Sequence, residues 1–203
     1  MKIILLANGE QKAELLAQQP VLPAEMGWQQ EPGPAADVYI DLLFDGAGER
    51  LNRLKQLSRS LVIVSSMIKL PDESSGIIRI NGWTTFLKRP LVEASGPRHL
   101  WQKAGEIFSL FNKKIEWVPD LNGFVSARVV ASIINEAFFA LDENVSTKEE
   151  IDIAMKLGTN YPYGPFEWCQ RIGIKNIYNL LSRLSEQQKR YQPSALLKKE
   201  AFV

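Results

Sequence analysis

Side chains that could serve as a nucleophile, a general base or a soft metal ligand are few in this sequence. The chain has one histidine, His99, and one cysteine, Cys169. Cys169 follows Trp168 in a predicted helix and is expected to be a small, buried, apolar side chain rather than a nucleophile. We expect His99 at the surface, and we expect no metal site.

The first turn of the chain is where a phosphate-binding loop would be sought. Ile3–Ala7 is a continuous apolar run, typical of a buried parallel strand, and a short helix is predicted over Ala13–Gln18. A dinucleotide-binding turn between such elements reads G-x-G-x-x-G, but here it reads A-N-G-E-Q-K. Only the middle glycine, Gly9, remains, and Glu10 places a negative charge where a phosphate would approach the helix. Gly9 is therefore a weak cofactor-binding candidate, and we expect no bound cofactor.

Composition and charge exclude several classes of partner. The chain has 203 residues, of which 45% are hydrophobic and 23% charged, as in ordinary globular proteins. Lys plus Arg number 24 and Asp plus Glu 23, so no overall charge favours nucleic acid or an anionic membrane. No apolar run approaches the roughly 18 to 20 residues that span a bilayer. A single cysteine allows no internal disulfide and is typical of a reducing compartment, so we expect a cytoplasmic protein.

Strand and helix patterns alternate in the first part of the chain and only helices follow. After a stretch rich in proline, glycine and glutamine, with at most one short strand near Met26–Gln29, the patterns predict strands at 36–45, 61–64, 77–83 and 115–118 and helices at 49–57 and 101–111. This order predicts an α/β domain over residues 1–118 and an all-helical domain over residues 119–203.

The predicted helix from Phe124 to Leu141 carries apolar residues on more than one face. It should therefore be either central to its domain or buried against another subunit. Phe138 and Phe139 are the side chains that we expect at such a contact.

The stretch from Ser146 to Gly173 contains strong local signals. Ser146 and Glu149 have the spacing of a capping box, which predicts a helix over Thr147–Leu157, and Gly158 is the predicted left-handed stop. A stiff aromatic turn, Y-P-Y-G-P, follows, and Pro165 stands where a first helical residue tolerates proline. A second short helix, Phe166–Ile172, is expected after it.

This helical part resembles a known family. The sequence N-E-A-F-F-A-L-D-E-N-V-S-T-K-E-E-I-D-I-A-M-K-L-G-T-N-Y-P-Y-G-P-F-E-W-C-Q-R-I-G-I, with Q-P-S-A-L-L-K-K-E near the end, is similar to the C-terminal domain of short-chain 3-hydroxyacyl-CoA dehydrogenases, which include the 3-hydroxybutyryl-CoA enzymes. The core pattern D-x-A-M-K-L-G-x-x-Y-P-x-G-P-F-E is highly specific. The resemblance, from about Pro119 to Ala201, implies an all-helical domain that forms the dimer interface and closes one side of an active-site cleft.

The resemblance in the first part of the chain is weaker. The run A-D-V-Y-I-D-L-L-F-D is similar to the family's A-D-x-V-x-E-A-x-x-E, R-I-N-G-W stands in place of G-x-H-F-F, and L-V-E is kept. Only 27 residues separate Gly9 from Asp37. The resembling enzymes place a strand, an acidic ribose-binding residue and a long helical pair in that interval, and most of this cannot fit. The resemblance therefore implies a truncated Rossmann-like domain.

The family's catalytic positions can be assigned one by one. Its enzymes pass hydride to NAD while a histidine, oriented by a carboxylate, takes the hydroxyl proton, and a serine and an asparagine hold the substrate oxygen. By alignment the histidine falls on Asn81, the carboxylate on Glu93, the serine on Ser65 and the asparagine on Ala127. Asparagine does not take up a proton near neutral pH, so Ser65 and Glu93 are expected to be vestigial. Glu93 also has a simpler interpretation as a solvated or ion-paired strand-end carboxylate, and Ser65 as a turn residue.

Two hypotheses follow from the sequence. In the first, the chain is a degenerate member of an acyl-CoA-metabolising family that binds no NAD, forms a homodimer through residues 119–203 and acts as a binding or partner protein, with an acyl-CoA-like small molecule as a conceivable ligand. In the alternative, it is an active NAD-dependent 3-hydroxyacyl-CoA dehydrogenase with an atypical cofactor site. The residues Ala7, Lys12, Asn81 and Ala127 together favour the first.

Overall fold

Two compact units, Met1–Phe124 and Val125–Val203, make up the chain in the computed structural model, which describes residues 1–23, 25–71 and 76–203. The first unit contains strands and helices, and the second contains helices and a short 3-10 turn.

The first unit is built on a seven-stranded sheet with the order β2-β1-β3-β4-β5-β6-β7. Neighbouring strands are parallel except β5 and β6, which are antiparallel. The strands are β1 Ile3–Leu6, β2 Met26–Gln29, β3 Ala36–Asp41, β4 Ser58–Ser65, β5 Ile77–Ile80, β6 Leu91–Ser95 and β7 Lys114–Trp117. The helices are α1 Gly9–Leu15, α2 Gly48–Leu57 and α3 Trp101–Ser109.

Apolar clusters cover both faces of this sheet, as expected for parallel strands. One cluster contains Ile3 and Leu5 with Leu15 of α1, and the other contains Ile4 and Leu6 with Leu54 of α2. Helices α1 and α2 therefore lie on opposite faces of the sheet.

The connection from β2 to β3 is unusually short. Only residues 30–35 join these two strands, although connections between parallel strands ordinarily need a dozen or more residues. Met26 and Trp28 pack against the cluster on the α1 side, so the alternating residues Gly27 and Gln29 face the other side. Strand β2 is thus apolar on one face only. The connection of residues 30–35 contains no helix that could cover its other face.

The second unit consists of five helices: α4 Ser126–Asp142, α5 Lys148–Thr159, α6 Pro165–Ile172, α7 Ile174–Ser185 and α8 Ala195–Ala201. Helix α4 is central and packs against α6, α7 and α8. Among the described residues, no helix is long and apolar enough to cross a membrane.

Several predicted helix ends were wrong by one to a few residues. Helix α1 begins at Gly9, because Asn8 caps it, and α4 begins at Ser126. The capping box of α5 uses Thr147 and Glu150 instead of Ser146 and Glu149.

Gly158 is also not the stop that the sequence predicted. Helix α5 continues through it, and the left-handed residue is Asn160, with φ of 56°. Asparagine tolerates this conformation better than most residues, so the chain did not need the glycine there.

Candidate functional site

The residues aligned with catalytic positions of the family's first domain meet at the carboxyl ends of β3, β4 and β5. Ser65 is the last residue of β4 and pairs with Ile80 of β5. Asn81 and Gly82 follow β5, and Leu42 follows β3. A Cβ atom on Gly82 would lie 2.6 Å from Ser65 Oγ and 3.2 Å from Leu42 Cδ2. These residues are therefore in direct contact, with no room for another side-chain atom at Gly82.

Asn81, at the position of the family's histidine, is bonded to Glu93, its predicted partner. The Asn81 side chain is 3% exposed, and its Nδ2 donates a hydrogen bond of 3.2 Å to Glu93 Oε2. The Asn81 backbone N–H donates to the Glu93 carbonyl at 3.0 Å, and Asn81 Oδ1 accepts from the backbone N–H of Trp83 at 3.3 Å. This amide connects β5 to β6, and it contains no group that accepts a proton near neutral pH.

Arg79 is the residue in this region that the sequence analysis missed. It stands where the family pattern G-x-H has glycine, and it is 3% exposed. Its guanidinium donates to Asp120 Oδ1 at 2.6 and 2.9 Å and to the Ser66 carbonyl at 2.7 Å, and it lies 4.5 Å from the ring centre of Phe124. Burial lowers the pKa of Arg79, and the bond to Asp120 opposes that shift. A buried arginine thus ties the end of β4 to the segment after β7.

The turn after β1 is capped by its own side chains. Asn8 Oδ1 accepts from the backbone N–H of Gln11 at 2.8 Å, and Gln11 Oε1 accepts from the backbone N–H of Asn8 at 3.1 Å. Gly9 is the first residue of α1 and has no strained backbone angle. Lys12, at the position of the third family glycine, places Nζ 4.9 Å from the ring centre of Trp28. These residues do not fit a dinucleotide turn, because the Gln11 N–H is already bonded to Asn8 and a lysine side chain replaces the glycine.

The end of β3 holds a buried ion pair. Asp41 is fully buried and accepts from Arg50 Nε at 2.7 Å and from Arg50 Nη2 at 3.1 Å. Burial raises the pKa of Asp41, and the bonds from Arg50 oppose the shift. Arg50 also lies 3.5 Å from Glu31. The charge of Arg50 is therefore neutralised within the protein.

In the helical unit, the highly specific motif forms an interlocked structural contact. Asp152 accepts hydrogen bonds from the backbone N–H groups of Phe166 at 2.8 Å and Glu167 at 3.0 Å, at the start of α6. Glu167 in turn accepts from the backbone N–H of Gly164 at 3.0 Å and from Lys156 Nζ at 2.6 Å. Burial raises the pKa of Asp152, and the two N–H bonds oppose the shift. The conspicuous residues of this motif thus fix α5 against α6.

The remaining candidates are Ala127, His99 and Cys169. Ala127 is fully buried in α4 of the second unit, so it has no polar group to offer a substrate. His99 is exposed, as predicted. Cys169 is buried, as predicted, and burial raises the pKa of its thiol to about 12. The described part of the chain contains no group of three or more His, Cys, Asp or Glu side chains that could hold a metal ion.

Comparison with known proteins finds a family that is similar to the helical unit. Residues 123–201 match the family model for the 3-hydroxyacyl-CoA dehydrogenase C-terminal domain. The helical part of this chain is similar to that C-terminal domain over nearly its whole length. The resemblance inferred from its sequence motif is therefore confirmed.

Curated relatives of this family align with part of the chain. The 3-hydroxyadipyl-CoA dehydrogenase of Escherichia coli K12 is 38% identical over 112 residues, which are 54% of this chain and 24% of that protein. The 3-hydroxybutyryl-CoA dehydrogenase of Clostridioides difficile is 33% identical over 132 residues, which are 63% of this chain and 46% of that protein. The chain thus spans less than half the length of these relatives.

Solved structures of the family share the fold. The (S)-3-hydroxybutyryl-CoA dehydrogenase of Ralstonia eutropha superposes with a TM-score of 0.73 at 19% identity, covering 98% of this chain and 92% of that one. A 3-hydroxybutyryl-CoA dehydrogenase structure from Escherichia coli K12 superposes with a TM-score of 0.63 at 28% identity, covering 71% of this chain and 32% of that one. The predicted fold class, a Rossmann-like sheet followed by a helical domain, is confirmed.

Proposed function

We propose that this protein is a catalytically degenerate relative of the 3-hydroxyacyl-CoA dehydrogenases that binds no NAD and acts in acyl-CoA metabolism as a dimeric binding or partner protein. The observation that carries the proposal is the environment of Asn81, where the family's proton acceptor should stand. Its amide is buried and bonded to Glu93 at 3.2 Å. We place this protein in the cytoplasm, in keeping with its single buried cysteine.

Loss of the base affects the chemical step directly. Oxidation of a 3-hydroxyacyl thioester requires that the hydroxyl proton leave as hydride departs, and a positioned general base contributes about 10² to 10⁴ in rate. An amide cannot take that proton. Ala127, which is fully buried, adds a second loss, because a methyl group cannot hold the substrate oxygen.

The direct test is NADH formation from 3-hydroxybutyryl-CoA, with a complete 3-hydroxybutyryl-CoA dehydrogenase as positive control. We expect no turnover above the blank in the unmodified protein or in the Asn81→His variant, since Ala127 and the capped first turn remain. Calorimetry with NAD, NADP, free CoA and acetoacetyl-CoA should detect no binding of either nucleotide, and it would identify an acyl-CoA ligand. Clear turnover by the unmodified protein would overturn the proposal.

The alternative function is an active NAD-dependent 3-hydroxyacyl-CoA dehydrogenase with an atypical cofactor site. It is favoured by the names of the relatives, which are dehydrogenases. The same assay separates the two, because only the alternative gives NADH from the unmodified protein.

The dimeric state is supported by helix α5, which exposes two large apolar side chains, Ile153 and Leu157. Lys148, Asp152 and Lys156 recur every four residues and so share one face. That face points into the unit, where Lys148 pairs with Glu200 at 2.8 Å and the other two hold α6. On the outward side, Ile153 is 51% exposed and Leu157 is 82% exposed, with Ala154 and Gly158 beside them, and the acidic Glu149 and Glu150 are exposed in the first turn of the same side.

This geometry changes which residues test the dimer. Phe138 is 1% exposed and packs edge-on against Phe166 with ring centres 5.1 Å apart. Phe138 therefore belongs to the internal core of the unit, whereas Phe139 of the same helix is 36% exposed, and a contact of α4 with a second subunit stays a prediction. We propose that the outward side of α5 pairs with the same side of a second chain, in a two-fold contact.

Light scattering at low micromolar concentration should give twice the chain mass of 22.9 kDa. Leu157→Glu should dissociate the dimer without unfolding the chain, because that side chain is mainly exposed. Val145→Glu is the matched control, since Val145 is 68% exposed and lies outside α5. A monodisperse species of one chain mass in the unmodified protein would refute the proposed interface.

A further inference from the structure

Side chains of this protein occupy the position beside β1 where the strand order of the sheet reverses. Strands β2 and β3 lie on opposite sides of β1 and run parallel to it. In open α/β sheets the ligand binds outside the carboxyl ends of the strands at such a switch point. Here the position between the carboxyl ends of β1 and β3 is crossed by Gln11, which is 7% exposed.

Gln11 is held at both ends of its side-chain amide. Its Nε2 donates a buried hydrogen bond of 2.9 Å to the carbonyl of Leu42, the residue after β3. Its Oε1 accepts from the backbone N–H of Asn8 at 3.1 Å, while Asn8 Oδ1 accepts from the backbone N–H of Gln11 at 2.8 Å. The side chain therefore joins the start of α1 to the end of β3, across the gap that a pyrophosphate would need.

Two cationic side chains near this gap, Arg50 and Lys12, also have contacts within the protein. Arg50 is bonded to Asp41 through Nε and Nη2 at 2.7 and 3.1 Å. Lys12 lies over the ring of Trp28 with Nζ 4.9 Å from its centre. The charge of Arg50 is thus neutralised by Asp41, and Lys12, which is exposed, packs on an aromatic ring.

We propose that Asn8 and Gln11 form an internal plug that takes the place of a dinucleotide at the switch point, so that Gln11 determines the closure of the cofactor crevice. The proposal rests on the proposed function, in which the protein binds no NAD. It adds that the first unit reaches its folded stability without a nucleotide, because these two side chains satisfy the Asn8 and Gln11 N–H groups and the Leu42 carbonyl beside the crevice.

Thermal unfolding of the whole chain tests the plug. Gln11→Ala leaves the Leu42 carbonyl without its buried donor and removes one half of the α1 cap, and we expect the midpoint to fall by about 3 to 10 °C. Gln11→Met keeps the volume and removes the hydrogen bonds, so its midpoint should also fall. The matched control is Gln18→Ala: Gln18 Nε2 also donates to a backbone carbonyl, that of Lys88, at 3.0 Å, but this bond is only part-buried. We expect its midpoint to change by no more than about 2 °C.

The unmodified protein should show no change in midpoint with millimolar NAD. If both Gln11 variants unfold at the midpoint of the Gln18→Ala control, the plug is wrong while the proposed function stands. If NAD raises the midpoint of the unmodified protein, the plug and the absence of NAD binding are both wrong.

Discussion

Replacing Gly164 with alanine should destabilise the helical unit by about 3 to 5 kcal/mol, the sum of two charge-assisted hydrogen bonds. A Cβ atom at this position would lie 2.3 Å from both Cγ and Oδ1 of Asp152. The Asp152 side chain is 8% exposed and accepts the backbone N–H groups of Phe166 and Glu167 at 2.8 and 3.0 Å. Asp152 Cβ would also lie 2.4 Å away, so the methyl group fits only if the whole Asp152 side chain moves away and gives up both of these bonds.

Urea denaturation followed by tryptophan fluorescence is a suitable assay, because Trp168 lies in α6 of the same unit and is 3% exposed. The matched control is Gly105→Ala in the interior of α3, where a Cβ atom would meet nothing within 4 Å. Alanine is the better helix former, so this control should stabilise the protein by about 0.5 to 1 kcal/mol.

A double-mutant cycle separates the steric clash from other effects of alanine. In an Asp152→Gly background the Cβ, Cγ and Oδ1 atoms that cause the clash are all absent, and Gly164→Ala should then cost less than about 1 kcal/mol. If Gly164→Ala costs the same free energy in both backgrounds, the contact between these two residues is not the cause, and the argument for the interlock fails.

Three further predictions concern other buried groups. Arg50→Met should cost about 3 to 5 kcal/mol at neutral pH by leaving the fully buried Asp41 unpaired. Because burial raises the folded-state pKa of Asp41, the native state holds that proton more tightly than the unfolded chain. Urea titrations at several pH values should therefore show a penalty that is largest at neutral pH and shrinks as pH falls through that pKa. Gly82→Ala should cost about 1 to 3 kcal/mol by overpacking, since its Cβ would lie 2.6 Å from Ser65 Oγ, and a Ser65→Gly background that recovers none of this loss would contradict the cause. Cys169, with burial raising the pKa of its thiol to about 12, should react with an alkylating reagent at mildly alkaline pH only after unfolding, and mass spectrometry showing rapid labelling of the native protein would contradict this.

Much of the fold could be predicted from the sequence because its signals are local. The apolar run of Ile3–Leu6, the short strand Met26–Gln29 and the proline that opens α6 each depend on residues within a few positions of one another. The sequence predicted the wrong capping box for α5 because two possible capping boxes overlap there. Ser146 with Glu149 and Thr147 with Glu150 have the same capping spacing, and only the path of the chain selects the second.

The candidate site could be located from the sequence in part. Alignment with the family brought Asn81 and Glu93 together as partners, and the structure places them 3.2 Å apart. The role of Arg79 could not be predicted, although its replacement of a family glycine was a visible signal. An arginine in a strand can extend into solvent or fold inward, and its bonds to Asp120 and the Ser66 carbonyl decide this through residues distant in the chain.

What the sequence by itself determined is therefore the order of the elements and the resemblance of the helical part to the 3-hydroxyacyl-CoA dehydrogenase C-terminal domain. Only the tertiary structure decided that Gln11 spans to the Leu42 carbonyl and that Asp152 requires a glycine at position 164. It also decided which face of α5 points outward, because the periodicity of a helix defines two faces but not which of them meets the rest of the unit. Asp152 and Lys156 are held inward by bonds to residues of α6, and Lys148 is held inward by Glu200 of α8. Because these polar residues occupy the inward side of α5, Ile153 and Leu157 face outward.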